Sequence, residues 1–257
     1  MSIITTHRGD FYVANAHYDT SIPPLLLIHG AGGSRLDFPK SVRQLPCAGS
    51  IALDLSAHGQ SQKVIRQSIA DHAEDVISVI QAMGYSQVYI LGHSLGGAIA
   101  LTATHQAPSL VRGLILVGSG AKLVVNRDLL HLLRTDADQA VEWLIDSIFS
   151  KGVNETLRAQ SRRAIHALGI EVLRADFESA DGVDLRNLLP QLMIPTLVIQ
   201  GGQDKMSPLH YGEYLAEHLP SATLATIPEA GHHIMREFPD LTAKTICSWL
   251  SRQEGKS

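Results

Sequence analysis

Val88-Tyr-Ile-Leu-Gly-His-Ser-Leu-Gly-Gly97 changes character halfway along. Its first four residues are β-branched, aromatic or aliphatic and read as a buried strand, whereas the small-residue run GGAIALTATHQA from Gly96 reads as a helix. A strand that turns at once into a helix forces the corner residue into a strained backbone conformation. Glycines at 92 and 96 tolerate this because they carry no Cβ. The corner side chain is thereby thrust out of the sheet. Gly92-His-Ser-Leu-Gly96 fits G-x-S-x-G, an elbow that presents a serine hydroxyl beside a helix N-terminus. Five-residue patterns with two free positions also recur by accident, so the surroundings of Ser94 must carry the argument.

Outward from this elbow, strand-like and helix-like stretches alternate from residue 24 onward. PLLLIH (24–29), SIALDL (50–55), QVYILG (87–92), VRGLILVG (111–118), PTLVIQG (195–201) and ATLATIP (222–228) read as strands. Their near-continuous hydrophobicity suits strands covered on both faces, as in a parallel sheet. Helical stretches fall near 68–83, 95–106, 208–219 and 233–251, which predicts an α/β fold with right-handed crossovers. The leading segment THRGDFYVANAHYD (6–19) reads as a hairpin closing one edge.

Between about Ala121 and Leu189 the alternation stops. Val141, Leu144, Ile145, Ile148 and Phe149 recur at helical spacing, Asn154 can cap a further helix, and Ile170, Leu173 and Phe177 mark another apolar face. The chain is therefore expected to divide into a core (1–120 and 190–257) and a helical insertion (121–189). The insertion is expected to act as a cap over the strand C-termini, where open parallel sheets bind ligands.

The 257 residues are enough for a large core. A net charge of −4 without clustered lysine and arginine argues against a nucleic-acid partner. The densest basic spot, Ser161-Arg-Arg163, reads as a solvated helix face. MSIITTHRGD lacks a basic segment followed by an apolar one, and no apolar run approaches the ~20 residues of a bilayer span, so neither a secretory signal nor a membrane anchor is expected. Cys47 and Cys247 lie far apart and lack metal-ligand spacing. They read as two thiols, buried or at the surface, of a cytoplasmic protein.

A serine hydroxyl is a weak nucleophile that needs a base, and the base needs an orienting group. Gly201-Gly-Gln-Asp-Lys-Met-Ser-Pro208 puts Asp204 on a loop at the end of one strand. Glu229-Ala-Gly-His-His-Ile-Met-Arg-Glu-Phe-Pro239 does the same for His232, with His233 as its rival. Each has a plainer reading, Asp204 as a turn or cap residue and the histidine pair as a surface feature. Of the other histidines, His7, His17, His105, His131, His166, His210 and His218 have no context that recommends them. The order serine, aspartate, histidine at three strand ends is nevertheless hard to reach by chance, and it is not the order of the chymotrypsin or subtilisin types. An oxyanion site would take the N–H after the nucleophile, that of Leu95, and one from the glycine-rich loop His29-Gly-Ala-Gly-Gly-Ser34, that of Ala31. Glycines at 30, 32 and 33 do not make G-x-G-x-x-G, and no phosphate-binding GxxxxGK is present, so no nucleotide cofactor is expected.

Together HGAGGS, DLSAHGQS, GHSLGG, GGQDKMSP and GHHIMREFP resemble the α/β-hydrolase superfamily, particularly its capped carboxylesterase-like branch, which also holds C–C bond hydrolases of ring-cleavage products. The resemblance spans roughly residues 3 to 251 and is weakest between 121 and 189. It implies a mostly parallel sheet flanked by helices, with Ser94 as nucleophile, His232 as general base and then acid, Asp204 as its orienter, and the Ala31 and Leu95 amides as oxyanion donors. His232 is preferred to His233 because family members place the histidine directly after glycine. One departure is visible: where the family shows D-x-P-G-H-G-x-S, this chain has Asp54-Leu-Ser-Ala-His-Gly-Gln-Ser61, which puts that loop's geometry in question. Serine at 94, where some relatives carry aspartate, disfavours haloalkane dehalogenase and epoxide hydrolase chemistry.

The expectation is a metal-free, cofactor-free serine hydrolase cleaving small-molecule carboxylic esters of small to medium size through an acyl-enzyme. One alternative is a C–C hydrolase, for which Arg35, Arg127 and Arg134 are candidates to hold a dienol and carboxylate. Another is a hydrolase-fold ligand receptor with little turnover. Fold alone does not choose among these.

Overall fold

Side-chain alternation decides the layering. In β3 (Leu25–Ile28), Leu26 and Ile28 enter one core while Leu25 and Leu27 enter the other. In β4 (Ser50–Leu53), Ile51 and Leu53 oppose Ala52, and in β5 (Val88–His93), Val88 and Ile90 oppose Tyr89 and Leu91. β6 (Val111–Val117) repeats this with Leu114 and Leu116 against Ile115 and Val117, and β7 (Thr196–Gly201) with Val198 against Leu197 and Ile199. An unbroken apolar run is thus what a two-sided strand requires.

The computed structural model describes residues 1–16 and 22–255. With β1 (Ser2–Thr6), β2 (Gly9–Ala16) and β8 (Ala222–Ile227), the strands form one sheet of order β1-β2-β4-β3-β5-β6-β7-β8. β2 runs antiparallel to β1 and β4, and every other pair is parallel. The expected mostly parallel α/β sheet is borne out. The edge hairpin starts at Ser2, before the Thr6 read from the sequence, and residues 17–19 of that reading, His17 included, lie outside the described residues.

α2 (Ile69–Ala82), α3 (Leu95–Gln106) and α8 (Leu209–His218) bury residues in the first core. α1 (Lys40–Arg43) packs on the C-terminal helix in the second. The helix expected over 233–251 is broken into α9 (Ile234–Glu237) and α10 (Pro239–Glu254) because Pro239 has no N–H to extend α9.

Between β6 and β7 come α4 (Arg127–Thr135), α5 (Ala137–Ile148), α6 (Glu155–Leu168) and α7 (Ile170–Ala180). Asn126, Asp136 and Asn154 cap three of them by accepting N–H groups of the first turn. Leu129, Leu133, Leu144, Leu173 and Phe177 join the core shared by α2 and α3. The inserted helices therefore dock onto the sheet layer through a continuous apolar interface.

From β3 the chain passes to β4 on one side and later to β5 on the other, so the connections part at β3. A crevice opens at such a switch point beyond the strand C-termini. The segment after β3, from His29 to Ser34, and Ser94 after β5 both enter it.

The two cysteines are not thiols. Cys47 and Cys247 form a disulfide with Cα atoms 5.6 Å apart, joining the segment after α1 to α10 across 200 residues of sequence. The pairing is tertiary: α1 and α10 cover the same sheet face, which no local pattern reveals. Among the described residues no helix is long and apolar enough to cross a membrane.

Candidate active site

Ser94 sits at φ 52° and ψ −116°, a conformation that costs a residue with a Cβ roughly 1–3 kcal/mol. The neighbouring backbone leaves no room to relax. A Cβ at Gly92 would stand 2.2 Å from the Gly96 carbonyl oxygen, and one at Gly96 would stand 2.3 Å from that of Ile28 in β3. β6 braces the corner: Ser94 N–H donates to Val117 O at 3.0 Å, and Ser119 Oγ donates to Ser94 O at 2.9 Å.

His232 Nδ1 lies 2.9 Å from Asp204 Oδ2. A carboxylate oxygen accepts, so Nδ1 carries the hydrogen and Nε2 is left as the basic nitrogen. Asp204 is buried and held in turn: Oδ1 accepts from the Met206 and Ser207 amides at 2.8 Å each, and Oδ2 also accepts from Gln200 Nε2 at 3.3 Å. Gln200 was invisible to the sequence reading, since a glutamine inside an apolar strand has no motif.

His233 differs sharply. Its Nδ1 has no hydrogen-bond partner among the described residues, and burial together with His93 and Arg236 drives its pKa well below 6.5. His93, in the second position of the elbow motif, packs against both rings, with centroids 4.9 Å from His232 and 5.2 Å from His233. Burial first, and His232 second, push its pKa down to about 3. Neutral His93 donates from Nε2 to the His232 carbonyl at 3.0 Å.

The inserted helices also reach this loop. Ile148 O, at the end of α5, accepts from the N–H groups of His232 (2.9 Å) and His233 (3.1 Å). Glu237 Oε2 accepts from Gly231 N–H (3.1 Å) and Ser150 N–H (3.0 Å), tying the same two segments together. A backbone carbonyl leaves no signature in sequence, and Glu237 belongs to no motif that would mark it as a tie between these segments.

The Ala31 and Leu95 N–H groups have no acceptor among the described residues, and both residues border the cavity that contains Ser94. The Gly32 N–H is taken: it donates to Asp176 Oδ2 at 2.8 Å. Ser94 Oγ makes no hydrogen bond to His232 among the described residues, although both line one cavity. Contacts of this kind are often long until substrate tightens them.

The cavity has two lobes that share Ala31, Ser94, Phe177 and Met206. The larger, about 530 Å³, runs past Leu95, Trp143 and Tyr211. The smaller, about 40 Å³, is bounded by His232 and by a polar group of Asp37, Ser161 and Arg236. Arg236 donates to Ser161 Oγ at 2.7 Å and lies 3.4 Å from Asp37. Ser161, read as part of a solvated face, is buried. Arg35, Arg127 and Arg134 border neither lobe: they pair with Asp54, Asp181 and Glu178 respectively. No cluster of metal-ligating side chains occurs among the described residues.

The departure in the loop after β4 shows in its backbone. Ala57, where the resemblance leads one to expect glycine, adopts φ 68°, a left-handed conformation that costs a non-glycine residue about 1–2 kcal/mol. The loop still closes, with Ala57 N–H donating to Gln62 O at 2.7 Å.

Comparison with known proteins gives a consistent picture. A family model described as the alpha/beta hydrolase family matches residues 25–245. The chain is 30% identical over 227 residues to a pimeloyl-(acyl-carrier protein) methyl ester esterase of Neisseria meningitidis, covering 82% of this chain and 86% of the relative. It is 28% identical over 242 residues to a protein of Haemophilus influenzae named as an esterase/lipase, covering 90% of this chain and 84% of the relative. Among solved structures, a thermophilic esterase superposes with a TM-score of 0.86 at 30% identity, covering 98% of this chain and 97% of that one.

Proposed function

Because the chain belongs to the α/β hydrolase family and is a carboxylesterase-like hydrolase, we propose that it cleaves carboxylic esters of small to medium size through an acyl-enzyme on Ser94. The observation that carries this reading is the Asp204–His232 hydrogen bond, which leaves a basic nitrogen on a ring that lines one cavity with Ser94. Ser94 Oγ attacks the ester carbonyl as His232 Nε2 takes its proton, and the carbonyl electron pair moves onto oxygen between the Ala31 and Leu95 amides. Collapse breaks the C–O bond to the alcohol, which leaves with the proton held by His232. Water then attacks the acyl group with His232 as base, releasing the acid and returning a proton to Ser94.

The two lobes give the substrate its shape. About 40 Å³ beside His232 suits a small alcohol group, and about 530 Å³ on the other side of Ser94 suits the acyl chain. The relative named for a methyl ester of a longer acyl group has this asymmetry in its substrate. Residues 121–189 act as the cap, since Trp143 and Phe177 wall the larger lobe. The C–C cleavage reading is weaker: its three candidate arginines are paired elsewhere, and Arg236, which does face the site, is occupied by Asp37 and Ser161.

A panel of p-nitrophenyl esters graded in acyl length, read with a fluorophosphonate label, tests this. The enzyme should turn over and take one label, and Ser94→Ala should fall to background on both readouts while remaining folded. Full turnover by purified Ser94→Ala would place the nucleophile elsewhere and end the proposal.

A further inference from the structure

Among the described residues four aspartates are buried, and three have evident partners. Asp54 pairs with Arg35, Asp75 with Arg8 and Arg66, and Asp204 with His232. The fourth, Asp176, pairs with neither arginine nor lysine among the described residues. It projects from α7, is 3% exposed, and uses one oxygen, Oδ2, to meet both Gly32 N–H (2.8 Å) and His58 Nε2 (2.9 Å). A buried carboxylate is costly, so both of those contacts bear on why it is there.

We propose that Asp176 is a positioning residue that fixes the oxyanion loop from the inserted helices, with His58 as its buried partner; this rests on the reading of the Ala31 amide as an oxyanion donor.

The loop's geometry gives an external anchor something to fix. Gly33 N–H donates to Gly30 O at 3.1 Å, which closes a four-residue turn with Ala31 and Gly32 at its centre. Gly32 has φ +68° and Ala31 does not have positive φ, the combination that type II requires. Types I and II differ by a flip of the central peptide, here the one whose N–H belongs to Gly32. Gly32 admits the type II turn, and with glycines on both sides of Ala31 the chain can also reach other conformations. An acceptor on the Gly32 N–H selects one orientation, and the flipped peptide would turn the Ala31 carbonyl oxygen toward the Asp176 carboxylate. Leu173, one turn earlier on the same face of α7, closes the other side: a Cβ on Gly32 would stand 2.5 Å from its Cδ1.

His58 holds the acceptor in place. Its Nδ1 lies 2.9 Å from the Ser56 carbonyl, which can only accept, and Nε2 faces the carboxylate, so both ring nitrogens donate. Asp176 counteracts the burial of His58 and raises its pKa, while His58 and the Gly32 amide counteract the burial of Asp176 and lower its own. The turn that carries the proposed oxyanion donor is thus anchored, one peptide beyond the Ala31 N–H, by a side chain that belongs to the inserted helices.

The test compares Asp176→Ala, Asp176→Asn and Asp176→Glu by steady-state kinetics on p-nitrophenyl butyrate. It also measures the affinity of an alkyl trifluoromethyl ketone, to whose carbonyl carbon Ser94 Oγ adds, leaving the oxygen as an oxyanion and the serine proton on His232. In folded Asp176→Ala, kcat should fall roughly tenfold to a hundredfold with KM within about threefold of wild type, as expected for a misplaced group. Affinity for the ketone should fall by the same factor as kcat/KM. Asp176→Asn keeps an oxygen for the Gly32 N–H and should recover most of both. Asp176→Glu keeps the charge but displaces the acceptor, so it should lose ketone affinity even where the alanine variant does not fold. Wild-type ketone affinity in folded Asp176→Ala or Asp176→Glu overturns the proposal, as does an Asp176→Asn enzyme no better than Asp176→Ala. Turnover surviving Ser94→Ala would instead overturn the underlying reading, independently of Asp176.

Discussion

Two adjacent histidines differ in one hydrogen bond, and the proposed division of labour rests on it. His232 has Asp204 to orient its ring and compensate a developing positive charge, whereas the His233 Nδ1 has no partner among the described residues and burial keeps the ring neutral. His232→Ala should therefore lose activity about as completely as Ser94→Ala, because members of such a set act as a unit and their losses do not add. His233→Ala should retain most of the turnover and lose some stability, since its ring packs against His93 and Phe149. The measurement is kcat/KM for each purified variant on one nitrophenyl ester, and a deeper loss for His233→Ala would put the base one residue later. The proposed triad positions were readable because Ser94 follows β5 directly and Asp204 and His232 lie in the short loops that leave β7 and β8. The residues that brace this region were not readable: Gln200 and Glu237 reach Asp204 and the Gly231 amide close by in sequence but belong to no short motif, and Asp176 meets the Gly32 amide from a helix far along the chain.

At the level of elements, strands were legible from their apolar runs because burial on both faces demands such runs. The inserted helices were legible from the spacing of Val141, Leu144, Ile145 and Ile148, all buried along α5. How those helices meet the loop at 29–34 and the loop of His232 was not, since it depends on the Ile148 carbonyl and on one carboxylate of α7. That carboxylate makes the contact pH-dependent. The His58 pKa lies above its usual 6.5, so its stabilising effect is complete below that value and is lost as pH rises through the elevated one. The Asp176 pKa lies below 3.8, so its contribution is present above that value and is lost as pH falls through the lowered one. The groups around the pair do not reverse this. Asp54 favours the charged His58, whereas His29, pushed down to about 3, and His72, lowered by burial, stay neutral through the middle of the window. The difference in unfolding free energy between wild type and Asp176→Asn should accordingly be larger near about pH 5 than near about pH 9. Urea denaturation at both values measures it. Its absolute sign matters less, because a buried ion pair also costs desolvation; an equal difference at both values would show that the pair does not exist as ions.

Across the whole molecule, the disulfide is the feature that alters the expectation most. The expectation of a cytoplasmic setting rests in part on two free thiols, and Cys47–Cys247 removes that support, because such bonds persist chiefly in oxidising compartments. The bond closes a loop with a sequence separation of 200, among the largest the chain allows, and ties the segment after α1 to α10 near the C-terminus. Cross-linking over so long a loop restricts the unfolded chain strongly; the chain-entropy relation gives about 5 kcal/mol, and native disulfides are worth about 2–5 kcal/mol when removed. For a chain of this size each kcal/mol moves Tm by roughly 2–4 °C, so Cys47→Ala/Cys247→Ala should melt on the order of 10 °C lower than the oxidised protein. The cysteines pack with the core beneath α1 and α10, and neither borders the Ser94 cavity. KM and kcat well below the melting range should therefore be unchanged. Thermal melts of the oxidised protein, the same protein after dithiothreitol, and the double variant separate the contributions: the last two should coincide. Two titratable thiols in native protein purified under oxidising conditions, with a Tm indifferent to dithiothreitol, would show that the bond does not form and would restore the thiol reading.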